Sequence, residues 1–250
     1  MRSILMDFKL WISFVLFWII FSCNKTPTKA KQLEGFAMGT SYNIQFEAEI
    51  PEDKVQKGID SLFYLLNKSL STYLPQSDIS KINRGDSTVV VDHHFRAVFE
   101  KATEVWKASG GYFDPTVGAL VNAYGFGPET YVNIATSDQL DSLLKLTGWQ
   151  KVKLREDGTV HKEFPSIYID FNALAKGYVV DQLGVFLQQL GALNYMVEIG
   201  GEIITKGNSP KTQQAWKIAI DDPRQREVRQ FLQTMILQDQ AIASSGNYRK

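Results

Sequence analysis

In Ser166-Ile167-Tyr168-Ile169-Asp170-Phe171-Asn172-Ala173-Leu174-Ala175-Lys176-Gly177-Tyr178 the apolar pattern changes its period partway along. Ile167 to Asp170 reads as a short strand. The residues after it read as a helix to Leu190, with apolar positions at Val179, Val180, Leu183, Phe186, Leu187 and Leu190. An acid therefore stands at the strand end, just before a helix start whose first N–H groups have no partners within the helix. Such a start attracts anions, and Lys176 adds a full positive charge. Asp170 would repel a phosphate, so it must face an uncharged ring edge or a metal shell. One turn thus offers separate contacts to the charged and uncharged parts of one ligand, which suits a nucleotide. The plainer reading makes Asn172 an N-cap and Lys176 a solvated first-turn residue. The spacing is neither the glycine-rich dinucleotide fingerprint nor a P-loop.

Outward from that turn, the strands cluster in the second half of the chain. Val152 to Arg155 and Thr159 to His161 flank a Glu156-Asp157-Gly158 turn. Tyr195 to Ile199, Glu202 to Lys206, Trp216 to Ile220, Phe231 to Leu237 and Ala241 to Ser244 follow with short connections. The first half is mostly helical. Pro51 opens a helix through Val55, Ile59, Leu62, Phe63, Leu66 and Leu70, and a short one covers Ser77 to Asn83. Asp92 caps a helix through Phe95, Val98, Phe99, Ala102, Val105 and Trp106, stopped at Gly110-Gly111. Pro115 or Thr116 begins a helix towards Tyr124, and Ser137 caps another. Glu34 to Glu47 alternates at Tyr42, Ile44 and Phe46 and reads as one half-buried strand. Short turns between strands argue for a mixed, largely antiparallel sheet with packed helices, an α+β fold.

The bulk composition excludes several classes. Of 250 residues, 44% are hydrophobic and 22% charged, and 27 acids balance 27 bases. No basic footprint for nucleic acid exists. The three histidines, His93, His94 and His161, lack zinc-like spacing and read as surface residues.

The amino terminus stands apart. Arg2 and Lys9 precede an apolar run from Leu10 to Phe21, the proportions of a secretory signal. Ile20-Phe21-Ser22-Cys23 resembles a bacterial lipobox, in which the single cysteine of the chain, Cys23, is lipidated. An uncleaved signal anchor is the plain alternative. Residues 1–23 are then a lipoprotein signal peptide, 24–31 a polar tether, and 32–250 the folded domain. This places the protein in a bacterial cell envelope, lipid-anchored to a membrane and facing the periplasm or the exterior.

Further segments have features that pure scaffold does not need. Phe36-Ala37-Met38-Gly39-Thr40 sets a glycine in a strand, and Ser71-Thr72-Tyr73 puts an aromatic ring in a loop. Gly110-Gly111-Tyr112-Phe113-Asp114-Pro115-Thr116 joins a glycine turn to two aromatics and an acid. Gly200-Gly201-Glu202 lies between two strands, and Ser244-Ser245-Gly246-Asn247-Tyr248 stands near the last residue. Each alone is explained as a turn, bulge or cap.

In this order, and with Ala123-Tyr124-Gly125-Phe126-Gly127, the segments from about Gly35 onward resemble the ApbE family of FAD:protein FMN transferases, whose fold is T-fold-related. The resemblance implies that FAD and Mg²⁺ bind, that AMP leaves, and that FMN is joined by a phosphoester to a Thr or Ser hydroxyl. Its acceptor would be a flavoprotein subunit of an envelope electron-transfer complex. It also implies FAD contacts at Met38, Tyr73, Tyr112, Phe113, Asp114, Asp170 and Lys176, and a metal contact through the Ala173 carbonyl. A thioether and an aromatic ring suit a flat isoalloxazine. The family pattern continues past the Ser-Ser-Gly-Asn-Tyr segment into a His-Ile-x-Asp-Pro-type motif and further metal ligands. The sequence to Lys250 is therefore expected to hold most of the flavin cradle and part of the metal site. The same cradle would serve an FAD pyrophosphatase giving FMN and AMP, or a flavin-binding envelope lipoprotein without chemistry.

Overall fold

The computed structural model describes residues 29–128, 136–224 and 230–245. The expected signal peptide and Cys23 lie outside them. A five-stranded antiparallel sheet in the order β1-β2-β5-β6-β9 forms the centre: β1 Ala30–Ala37, β2 Thr40–Glu47, β5 Tyr195–Ile199, β6 Glu202–Lys206 and β9 Ala241–Ala243. Two hairpins flank it, β3 Val152–Leu154 with β4 Val160–Lys162, and β7 Trp216–Asp221 with β8 Phe231–Leu237. The helices are α1 Glu52–Leu70, α2 Asp78–Asn83, α3 His93–Ala108, α4 Gly118–Ala123, α5 Ser137–Leu144 and α6 Asn172–Gln189. The α+β expectation holds.

The sheet has two covered faces because side chains alternate along each strand. On one face Ile44, Phe46, Val197 and Ile199 join the main core with Val55, Ile59 and Leu66 of α1, Phe95 and Val98 of α3, and Val179 and Leu183 of α6. On the other, Met196 and Ile203 pack with Trp216, Ile218 and Leu237 of the β7–β8 hairpin. Helix α6 lies directly on β5 and β6, so its N-terminal turn is fixed relative to one end of the sheet.

Several local expectations need correction. The segment read as one strand is a hairpin: Ala37 pairs with Thr40 across Met38-Gly39, whose φ values are +53° and +74°. Two positive φ angles give the turn whose twist matches antiparallel strands. A methionine rarely supplies one, so its sequence does not announce the turn. Strand β1 takes in Ala30 and Lys31, the last residues of the expected tether. Lys31 pairs with Phe46, and its ammonium donates to the Ile50 carbonyl. Thr136, not Ser137, caps α5 by accepting from the Gln139 N–H at 3.3 Å. Helix α4 starts at Gly118, after a turn in which Asp114 holds Thr116.

His94 is buried rather than on the surface, and its Nδ1 lies 2.9 Å from the Tyr178 hydroxyl of α6. Burial and then the neighbouring His93 hold His94 below its ordinary value of 6.5. The unfolded chain therefore binds this proton more readily than the folded one. Stability is full above pH 6.5 and falls as the pH drops through the interval down to the depressed value. Thermal melts between pH 7 and pH 5 should show a steeper decline for the wild type than for His94→Gln, which keeps a hydrogen-bonding group for Tyr178. Parallel curves would remove His94 from the account.

Candidate functional site

The turn before α6 is extended but belongs to no sheet, which corrects the expected strand. Its peptide groups find other partners. The Asn83 side chain at the end of α2 acts as a one-residue strand: its amide donates to the Ile169 carbonyl at 2.9 Å and its oxygen accepts from the Ile169 N–H at 2.8 Å. The Lys162 ammonium donates to the carbonyls of Ile167 at 2.8 Å and Asn83 at 3.2 Å. Burial lowers Lys162 to about 8. Tyr168 forms a parallel bridge with Val117, and the Asp170 N–H donates to the Pro115 carbonyl at 2.8 Å. These bonds tie the turn to the Tyr112–Thr116 loop.

Phe171 occupies the N-cap position of α6 and is 1% exposed. Its ring lies edge-on to Phe95 at 5.4 Å and to Trp149 at 6.0 Å between centroids. The cap itself offers no side-chain hydrogen bond. Asp170 supplies one instead, accepting from the Asn172 N–H at 2.6 Å and from the Asn172 amide at 3.1 Å. Asn172 is thus the first helical residue, not the N-cap. Desolvation pushes the Asp170 carboxyl above the usual carboxylate range, and the two Asn172 bonds only partly oppose it. A cation or a hydrogen-bond donor arriving here would relieve that cost.

Lys176 is not a free cation. Its Nζ lies 2.8 Å from Glu202 Oε2, and both side chains are partly sheltered. Glu202 follows the Gly200-Gly201 turn of the β5–β6 hairpin, where φ is +56° and +104°. That turn is tightly enclosed. A Cβ on Gly200 would come within 2.6 Å of Thr40 Cγ2, and one on Gly201 within 2.8 Å of Ser244 Oγ. The Gly200 N–H donates to the Ser41 carbonyl at 3.2 Å, and the Ser244 N–H to the Gly201 carbonyl at 3.1 Å. The Met38-Gly39 turn, the Gly200-Gly201 turn, Ser244 and Lys176 therefore meet at one end of the central sheet.

The Tyr73 loop reaches the same helix start from the other side. The Ser71 carbonyl accepts from the Ser77 and Ser80 hydroxyls at 2.6 and 3.2 Å, which folds the loop. Buried Thr72 offers its hydroxyl oxygen to the Asn172 amide at 3.5 Å. The Tyr73 ring is 62% exposed, with a long contact of 3.5 Å from its hydroxyl to the Phe126 carbonyl. Tyr112 is 98% exposed, and Phe36, Tyr124 and Phe126 are also open to solvent. An exposed aromatic ring such as Tyr73, on a loop that touches a helix N-terminus, suits a flat ring joined to an anion.

Two expected contacts are engaged by the protein itself. Phe113 packs against the main core. Asp114 accepts from the Thr116 N–H at 2.8 Å, the Thr116 hydroxyl at 2.5 Å and the Trp149 N–H at 2.9 Å. Glu202, Asn83 and Phe171 carry the geometry without having been assigned roles from the sequence. Of these, only Glu202 had a signal, its place after two glycines between strands.

Ala173 is exposed in the first turn of α6, one turn from Asp170. Among the described residues no group of three or more His, Cys, Asp or Glu side chains is placed to hold a metal. The oxygen donors present, the Asp170 carboxylate and the Ala173 carbonyl, fit magnesium, which keeps waters and substrate phosphates in its shell. A cavity of about 580 Å³ between α4 and α5 reaches the segment before α6 at Ser166 and Tyr168 and is lined by none of the expected ligand residues.

Comparison with known proteins identifies the family. Residues 38–250 match the ApbE family profile. An FAD:protein FMN transferase of Vibrio cholerae is 36% identical over 239 residues, covering 92% of this chain and 70% of the relative. The structure of flavin transferase ApbE from Vibrio cholerae superposes with a TM-score of 0.79 at 35% identity, over 89% of this chain and 73% of that one. The apo flavinyl transferase ApbE of Pseudomonas stutzeri gives 0.78 at 27% identity, over 91% and 74%. The chain thus spans about 70% of the length of these relatives.

Proposed function

The chain belongs to the ApbE family and is a transferase of the FAD:protein FMN class, and we propose that it moves FMN from FAD onto a Thr or Ser hydroxyl of an envelope flavoprotein subunit with the help of Mg²⁺. The observation that carries this reading is the convergence at one helix start of a desolvated acid, Asp170, a lysine, Lys176, and exposed aromatic rings.

In this reading Tyr73 and Met38 hold the isoalloxazine, Tyr112 lends a second ring, and Asp170 faces a ligand N–H or hydroxyl. The α6 N-terminus and Lys176 meet the diphosphate. Asp114 and Phe113 act one step back, by fixing the loop that presents Tyr112. A lone pair of the acceptor hydroxyl forms a bond to the FMN phosphorus. The bridging P–O bond breaks, its electron pair leaves with AMP, and the hydroxyl proton passes to solvent. Positioning and charge neutralisation supply most of such a rate. The Ala173 carbonyl would help to hold Mg²⁺, which when bound would supply charge to polarise the phosphoryl oxygens. Cys23 in its lipobox would tether the domain to the membrane on the side where exported acceptors lie.

The protein, FAD, magnesium chloride and a Thr-containing flavoprotein subunit are incubated, separated by denaturing electrophoresis and viewed for flavin fluorescence. A fluorescent acceptor band that needs FAD and magnesium is the expected result. Release of FMN and AMP with an unlabelled acceptor would replace transfer by hydrolysis.

A further inference from the structure

The ion pair between Lys176 and Glu202 has a consequence for anion binding. Glu202 is the fixed partner. It is paired on one side with Ile199 of β5 and on the other with Ala243 of β9. It also follows a turn wedged between Thr40 and Ser244. Lys176 is the adaptable partner, a point charge on a flexible four-carbon stem. Its side chain is 33% exposed, against 17% for Glu202, so the lysine is the more accessible of the two to an incoming anion. The cation expected to receive a diphosphate is thus already matched by a carboxylate, and a second carboxylate, Asp170, stands at the start of the same helix.

We propose that Glu202 is a positioning residue that restrains Lys176, so that a diphosphate binds weakly until a divalent cation accompanies it. This rests on the reading that Lys176 meets the diphosphate of the flavin nucleotide. The pair aims the ammonium without leaving it available to any passing anion, and the charge needed to hold the substrate arrives with the metal. Inorganic phosphate or free nucleotides without a cation are thereby kept out. The device acts by where a charge is held, since the fold leaves Glu202 little room to move away.

The test is calorimetric titration of inorganic diphosphate and of FAD, in EDTA and in magnesium, against the wild type, Glu202→Gln, Lys176→Gln and the double variant. Both replacements keep a hydrogen-bonding side chain at the contact, and thermal melts verify the fold. In EDTA, Glu202→Gln should bind diphosphate on the order of tenfold tighter than the wild type, the scale of one charge-assisted hydrogen bond. The tightening should vanish in the Lys176→Gln background, because it acts through the lysine. Unchanged or weaker metal-free binding by Glu202→Gln overturns the proposal. So does an equal gain with and without Lys176, which would reduce Glu202 to a simple repulsive charge. Inorganic diphosphate judges the pair alone. A wild type that binds no FAD even with magnesium overturns the flavin reading instead.

Discussion

Phe171→Ala should lower the stability of the fold by about 3–5 kcal/mol, the usual cost of deleting a buried aromatic ring. Domains of this kind are stable by only about 5–15 kcal/mol, so the variant is expected to be partly unfolded at growth temperature. Phe171 is 1% exposed and stands edge-on to both Phe95 and Trp149, and Trp149 in turn meets Phe99 at 4.6 Å. The cavity would open between α3, α6 and the short helical turn at Trp149. It would also open between Asp170 and Asn172, the two residues that shape the helix start. Affinity for FAD should therefore fall together with the urea midpoint. Phe171→Leu, which refills most of the volume, should recover most of both. An alanine variant within 1 kcal/mol of wild type would show that the ring is not the anchor of the turn.

Phe171 also illustrates what a sequence can and cannot display. The change of period across Asp170 was legible, because a helix with apolar residues at Val179, Val180, Leu183 and Leu187 is a local pattern, and all four are buried. Most strands of the second half were legible for the same reason. What failed was non-local. The segment from Ile167 to Asp170 looks like a strand, yet the group that pairs with Ile169 is one side chain, Asn83, 86 residues away. No periodicity records such a partner. The Met38-Gly39 turn was hidden because methionine is not a residue that usually takes a positive φ.

His94 is a different case, since the signal was present. His94, Val98 and Ala102 recur at a spacing of four on α3, and all three are buried. The adjacent His93-His94 pair displays polarity and masks the apolar face that His94 shares. For the site, candidate ligand residues were legible as separated motifs in order. Their mutual support was not. Lys176 was seen as a cation and Gly200-Gly201-Glu202 as an unusual turn, but the 2.8 Å contact between them needs the register of β5 on β6 and the seating of α6 on both.

Asp114 decides between two accounts of the Tyr112–Thr116 loop. The family resemblance gives it to the ligand, whereas its carboxylate is engaged by Thr116 and by the Trp149 N–H, 35 residues on. Thr116, fully buried, passes the connection further by accepting from the Gly148 N–H at 2.6 Å. In Asp114→Asn one oxygen becomes an N–H₂ group, which must then face a backbone N–H of either Thr116 or Trp149. Replacing a charge-assisted acceptor by an opposing donor should cost about 2 kcal/mol or more. The Pro115 carbonyl that accepts from the Asp170 N–H belongs to the same loop, so the loss should reach the α6 start. The expected result is a lower melting temperature and weaker FAD binding, both from one substitution. Tyr112→Ala is the contrast: a ring 98% exposed should leave the melting temperature unchanged while FAD binding weakens. If Asp114→Asn instead weakens FAD binding at wild-type stability, the carboxylate belongs to the ligand, and the loop is held by its neighbours without it.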